Sequence, residues 1–139
     1  MEATTKSAVE ITQEFIAMHT SRMELADKLL ATDAASGQTN NFQSIKKQSE
    51  QHRKELLDEL ANFGDAVMAN VDKESAYQAM YKNLSGKIEL MTAEESVRSF
   101  QSSENILKDE YEQLVATATI LPASLQEIVT RQAGELYKV

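Results

Sequence analysis

Six polar side chains interrupt apolar stripes of helical spacing, and these are the residues through which the chain could do chemistry. His19 and Arg22 lie in the first segment, Ser49 and His52 in the second, Glu104 in the penultimate one and Gln132 in the last. Each sits near the middle of its stripe, so antiparallel packing would bring them to similar heights as one polar layer. Burying such groups without partners costs about 2–7 kcal/mol. They must therefore satisfy one another or line a wet cavity. A carboxylate beside an imidazole could ligate a metal or move a proton, and an arginine beside a carboxylate makes an ion pair. Glu104 thus has two readings: a ligand or proton acceptor, or a structural partner of Arg22 or of a tyrosine hydroxyl. The structural reading is favoured, because buried pairs commonly set register without chemistry. His52 reads as a hydrogen-bonded core imidazole, with metal ligation as its alternative, and His19 as structural at the edge of the apolar face. Arg22 argues against a metal beside it, since a fixed cation repels a divalent ion unless carboxylates outnumber it. Gln132 reads as a hydrogen-bonder that fills the layer.

The elements that must position these residues follow from periodicity. In the first segment Ala8, Ile11, Phe15, Met18, Leu25 and Leu29 form one stripe. Ile16, His19, Met23, Ala26 and Leu30 form an adjacent one, giving the wide apolar face of a helix with two neighbours. Ser7 with Glu10 can make a capping box at its start. Residues 35–41 are rich in turn formers and predict a loop, short enough to favour antiparallel packing of the helices it joins. A second helix starting at Asn40 or Asn41 places Phe42, Ile45, Ser49, His52, Leu56, Leu60 and Phe63 inward, with Gly64 as its stop. A short segment follows, then a shorter element from Asp72 through Tyr77, Met80, Leu84, Ile88 and Met91, weakened by Gly86. Thr92 with Glu95 caps the next helix, whose stripe is Val97, Phe100, Glu104, Leu107, Tyr111, Leu114 and Ala118. The last helix follows Pro122, with Ser124 and Glu127 as a capping box and Leu125, Ile128, Gln132, Leu136 and Val139 inward. No segment alternates with the two-residue period of a strand.

Composition narrows the function classes. The 139 residues suit one domain spanning 1–139. Twenty-two acids against 14 bases leave −8, spread evenly along the chain, which argues against a nucleic-acid or anionic-membrane surface. Without cysteine there is no disulfide framework, thiolate metal site or cysteine nucleophile. The two histidines would force any metal site to lean on carboxylates. Phosphate loops, nucleophile elbows, His-Glu-x-x-His and EF-hand patterns are missing from the sequence. No apolar run suggests a signal peptide or membrane insertion, and a cytoplasmic location is the expectation. The run Lys46-Lys47 with Arg53-Lys54 reads as a solvated outer face.

Four groups of residues carry a resemblance over roughly residues 11–137: Ser21-Arg22-Met23-Glu24, Glu50-Gln51-His52-Arg53-Lys54-Glu55-Leu56, Ser103-Glu104-Asn105 followed by Tyr111, and Leu121-Pro122-Ala123-Ser124-Leu125 leading to Arg131-Gln132. In their order and separation the chain resembles a bacterial family of small ferritin-like four-helix-bundle proteins of unknown function, members of which are described as stress-associated. The resemblance implies an all-α, ferritin-like antiparallel four-helix bundle with an additional short helix between helices two and three. Di-iron members of the wider class use a Glu from each of two helices and a Glu-x-x-His from each of the other two. This sequence departs from that pattern. Serine stands at position 49, where the glutamate paired with His52 would fall, and Glu127 is followed by Thr130 in a last helix without histidine. Glu104 and His52 alone carry over, with Glu24 or Asp27 if helix one is suitably rotated.

The reading that follows is a non-enzymatic bundle with a structural or binding role in a stress response and no cofactor. One alternative is an oxidase or iron-handling protein with a degenerate iron or manganese site at Glu104, His52 and Glu24. The other is a module that forms a homodimer or docks a partner helix through apolar surface around Tyr77, Met80 and Tyr81.

Overall fold

The computed structural model describes residues 8–32, 37, 39–62, 76–116 and 121–138. It is all-α: α1 (Ala8–Leu30), α2 (Thr39–Ala61), α3 (Ala76–Ser85), α4 (Ala93–Ala116) and α5 (Ala123–Glu135), with single 3-10 turns at Ile88–Leu90 and Leu136–Lys138. No strand occurs among the described residues. The expected cap Ser7, the stop Phe63-Gly64, the start Asp72 and the stripe ends Ala118 and Val139 lie outside them.

Cross-helix partners give the directions. His19 meets Ser49 and Asp27 meets Lys46, so numbers rise on α1 as they fall on α2, and the two are antiparallel. Phe15 packs on Tyr111 while Arg22 reaches Glu104, which makes α4 antiparallel to α1 as well. Glu135 meets His52 and Ser124 meets Glu59, which makes α5 antiparallel to α2. The order is therefore up, down, down, up. Because α2 and α4 run the same way, the chain between them must return along a helix of 23 residues, about 35 Å long. That connection contains α3, which packs on α1 and α4.

Local chemistry explains several boundaries. The Thr92 backbone N–H donates to Glu95 Oε1 at 2.9 Å and the Glu95 N–H donates to Thr92 Oγ1 at 3.1 Å, the reciprocal pair expected at the start of α4. The expected element at 72–91 breaks after Ser85, at Gly86-Lys87, and resumes as the 3-10 turn. Two expectations are corrected. α2 begins at Thr39, so Asn40 and Asn41 lie inside it and do not cap it. The Ser124–Glu127 box does not form, because α5 starts directly after Pro122 and the Ser124 hydroxyl donates instead to Glu59 Oε2 at 2.6 Å. Gly37, at φ 79°, supplies the left-handed residue in the α1–α2 loop.

The core is divided in two. One cluster gathers Phe15, Ile16, Met18, Leu56, Leu60, Leu107, Tyr111 and Leu114 with Leu125, Val129 and Leu136 from the last helix and its 3-10 extension. The other gathers Leu25, Leu29, Phe42, Ile45 and Phe100 with Leu84 and Ile88. Along each of α1, α2 and α4 the change from one cluster to the other falls at the polar residues: His19 and Arg22, Ser49 and His52, and Glu104. With only 13 residues, α5 serves the first cluster alone, and α3 with the turn after it serves the second.

Leu25 and Leu107, both at 0% exposure, sit in different clusters. Leu25→Ala and Leu107→Ala should each lower stability by about 2–5 kcal/mol in urea unfolding. Because the clusters share no buried residue, the double variant should equal the sum within about 0.5 kcal/mol.

Candidate functional site

The polar residues form a continuous hydrogen-bonded layer. Arg22, wholly buried, grips Glu104 with two parallel bonds: Nε to Oε2 at 2.9 Å and Nη2 to Oε1 at 2.6 Å. Its remaining nitrogen, Nη1, donates to Gln48 Oε1 at 2.8 Å and to Ser49 Oγ at 3.0 Å. One guanidinium thus ties α1 to α4 and α2. His19 stands beside it, with Nδ1 2.9 Å from Ser49 Oγ and Nε2 2.7 Å from the Tyr111 hydroxyl. Tyr111 in turn donates to Gln132 Oε1 at 2.5 Å. Gln132 Nε2 donates to the His52 carbonyl at 3.2 Å and to Glu55 Oε1 at 2.9 Å. Glu55 also meets Arg131 at 3.2 Å, where the layer reaches the surface.

The protons in this chain run one way. Gln132 faces two acceptors, the Glu55 carboxylate and the His52 carbonyl, so its NH₂ must point to them and its oxygen to Tyr111. The tyrosine's single proton is then committed to Gln132, and its oxygen must accept from His19 Nε2–H. Burial, with Arg22 and His52 nearby, holds the His19 pKa well below its usual value, so the ring is neutral and Nδ1 is bare. Ser49 donates to that nitrogen and accepts from Arg22. Burial likewise pushes the Tyr111 phenol far above its usual range. At the outer end, burial alone would raise the Glu55 carboxyl, but hydrogen bonds from Gln132, Gln51 and Arg131 hold it below its ordinary value.

His52 is the layer's loose end. Its Nε2 lies 2.9 Å from Glu135 Oε1, while Nδ1 is buried with no partner. Its ring meets that of His19 edge to face, centroids 5.2 Å apart. Burial lowers the His52 pKa, and the bond to Glu135 offsets this only in part.

The structure therefore brings Arg22, Ser49, Glu104 and Gln132 into one network with His19, which is fully buried and central, not at the edge of the apolar face. His52 joins it through its carbonyl. The three residues weighed as metal ligands are not brought together. Both Glu104 oxygens face Arg22, His52 Nε2 faces Glu135, and exposed Glu24 accepts from the Tyr81 hydroxyl at 2.7 Å. This donor set does not fit a di-metal centre, and among the described residues no group of three or more His, Asp or Glu side chains could hold a metal. Met80 and Tyr81, considered for docking, pack against the core clusters, and the Tyr77 side chain lies outside the described residues. Gln48 and Glu135 have no part in the sequence reading, and Glu55 and Arg131 enter it only within the resemblance motifs. Helical spacing carried their signal: Gln48 and Glu55 lie four before and three after His52, and Glu135 lies three after Gln132.

Ser49 and His19 have the contact of a nucleophile and its base, but both are wholly buried and Arg22 also donates to the serine oxygen. Outside the layer, a groove of about 410 Å³ between α2 and α5 is lined by Glu55, Asp58, Glu59, Asn62, Ile128 and Arg131. Its buried carboxylate, Glu59, accepts from Ser124 and Asn62. No helix among the described residues is long and apolar enough to cross a membrane.

Removing one partner of the Arg22–Glu104 pair strands a buried charge. Arg22→Met and Glu104→Leu should each cost about 3–5 kcal/mol in chemical denaturation, and the double variant less than either single. Neutral His19 adds a pH signature. The unfolded imidazole binds a proton near 6.5 and the folded one does not. His19 should therefore make stability fall as pH drops below 6.5, by up to about 1.4 kcal/mol per pH unit, and a His19→Gln variant that folds should lose that share of the slope while His52 keeps its own.

Compared with family models, curated proteins and solved structures, the chain matches none.

Proposed function

We propose that this chain is a non-enzymatic, cofactor-free helical scaffold of ferritin-like topology, with a structural or binding role and, following the family resemblance, a place in a stress response. The up-down-down-up order with one long connection between the second and third long helices supports the topology. The observation that carries the functional reading is the two-bond grip of Arg22 on Glu104 in the middle of the layer. A guanidinium in that position supplies the positive charge that a bound metal would otherwise bring. It also occupies both oxygens of the carboxylate best placed to ligate one. The other buried hydrogen-bonding groups of the layer are spent on joining helices, with His52 Nδ1 as the exception.

The test is an anaerobic titration of chelator-washed protein with ferrous iron, and separately with manganese, followed by desalting and elemental analysis. The scaffold reading expects no retained metal and no oxygen uptake. Retention of about one equivalent or more, abolished by both Glu104→Ala and His52→Ala, would replace it with a metal-site reading.

A further inference from the structure

We infer that His52 and the C-terminal half of α5 form an acid-sensitive latch: α5 closes over the unpartnered imidazole nitrogen, and a proton on that nitrogen favours the state in which α5 has lifted away. The inference deepens the scaffold reading and rests on it, because it treats the layer as a lock between helices.

Both polar contacts that His52 makes beyond its own helix go to α5. Glu135 accepts from Nε2 at 2.9 Å, and Gln132 donates to the carbonyl at 3.2 Å. With a carboxylate at Nε2, the neutral ring carries its proton there and leaves Nδ1 bare. That nitrogen is buried, on a side chain 1% exposed, and nothing donates to it. A proton added at Nδ1 would be a buried donor without an acceptor.

In the closed state burial and the cationic Arg22 act against that proton, and the carboxylates of Glu135 and Glu55 offset them only in part. Facing His52 from α1 are the cationic Arg22 and the neutral His19 ring, packed edge to face. From α4, the Tyr111 hydroxyl is committed to Gln132, and Glu104 is neutralised by Arg22. On α2 itself, Glu55 is held by Gln132, Gln51 and Arg131. From α5, Glu135 favours the proton, but Arg131 also lies 3.5 Å from the same carboxylate oxygen.

The rest of the α5 attachment is confined to one end of the bundle. α5 contributes only to the first core cluster, and its end is pinned to α2 by Gln48, which donates to the Glu135 carbonyl at 2.7 Å. Lifting this end takes Glu135 and Gln132 off His52 and lets water reach the ring. The open state then takes a proton near the ordinary histidine value of 6.5, so linkage multiplies its population by up to about tenfold per pH unit below that value.

The test is hydrogen–deuterium exchange of the α5 amides from Val129 to Leu136 against those of α1. It is run at pH 7.5 and 5.5 with chelator present and corrected for the intrinsic pH dependence of exchange. In the wild-type chain the opening constant of α5 should rise more than about threefold, and by at most about tenfold, between the two pH values, while α1 stays protected. In His52→Gln, which keeps a donor for Glu135, it should change less than about twofold. Equal pH dependence in the two chains would overturn the latch. A second measurement needs no substitution: ring nitrogen chemical shifts of His52 in the wild-type chain should report a neutral Nε2–H ring at pH 6. A protonated ring there, with α5 still protected, would also overturn it. Metal retention in the separate titration would defeat the scaffold reading. The chelator keeps the exchange result independent of that outcome.

Discussion

A guanidinium with no access to water dominates this structure. An arginine side chain has donors and no acceptor, so those of Arg22 must all find acceptors inside the protein. Glu104 on α4 takes two of them, and Gln48 and Ser49 on α2 take the rest described. Two helices, α2 and α4, are thereby fixed in height relative to α1. Sliding either of them by one turn would leave a charge or a donor stranded in the interior, a far larger penalty than misaligning apolar contacts. Apolar clusters above and below the layer supply the area that drives folding, but greasy surfaces tolerate small shifts. The polar layer does not.

From Arg22 the constraint passes along a directed chain through Ser49, His19 and Tyr111 to Gln132, and so to the last helix. The direction originates at the far end, where two acceptors orient the Gln132 amide and the amide dictates the protonation of every group behind it. Such a chain leaves little freedom to its protons. Each residue in it holds one proton in one place to keep helices together, and Ser49, His19 and Tyr111 are all buried. His52 differs because its second nitrogen has no duty in the lock.

Helix content, and most inward positions, were legible in the sequence because burial of an amphipathic helix imposes a 3.6-residue period. Phe42, Ile45, Ser49, His52, Leu56 and Leu60 are all buried as their spacing predicts. The Thr92–Glu95 cap was readable too, since both bonds are local. Ser124–Glu127 has the same residue types, but its hydroxyl is claimed by Glu59, 65 residues away in the chain. The cap of α5 was misread for that reason. His19 was misplaced at the edge of the apolar face because its position on the stripe does not reveal which neighbour covers it.

The sequence by itself determined that the chain is helical, which faces turn inward, and that charged and polar groups interrupt those faces near mid-height. These properties depend on spacing within one helix, where neighbours along the chain are neighbours in space. Only the tertiary structure decided who partners whom. It placed Arg22 on Glu104 and His19 between Ser49 and Tyr111, and left one nitrogen of His52 bare. The physical reason is that each pairing joins residues on different helices. Their distances are set by how the helices pack, and no period within a single helix carries that information.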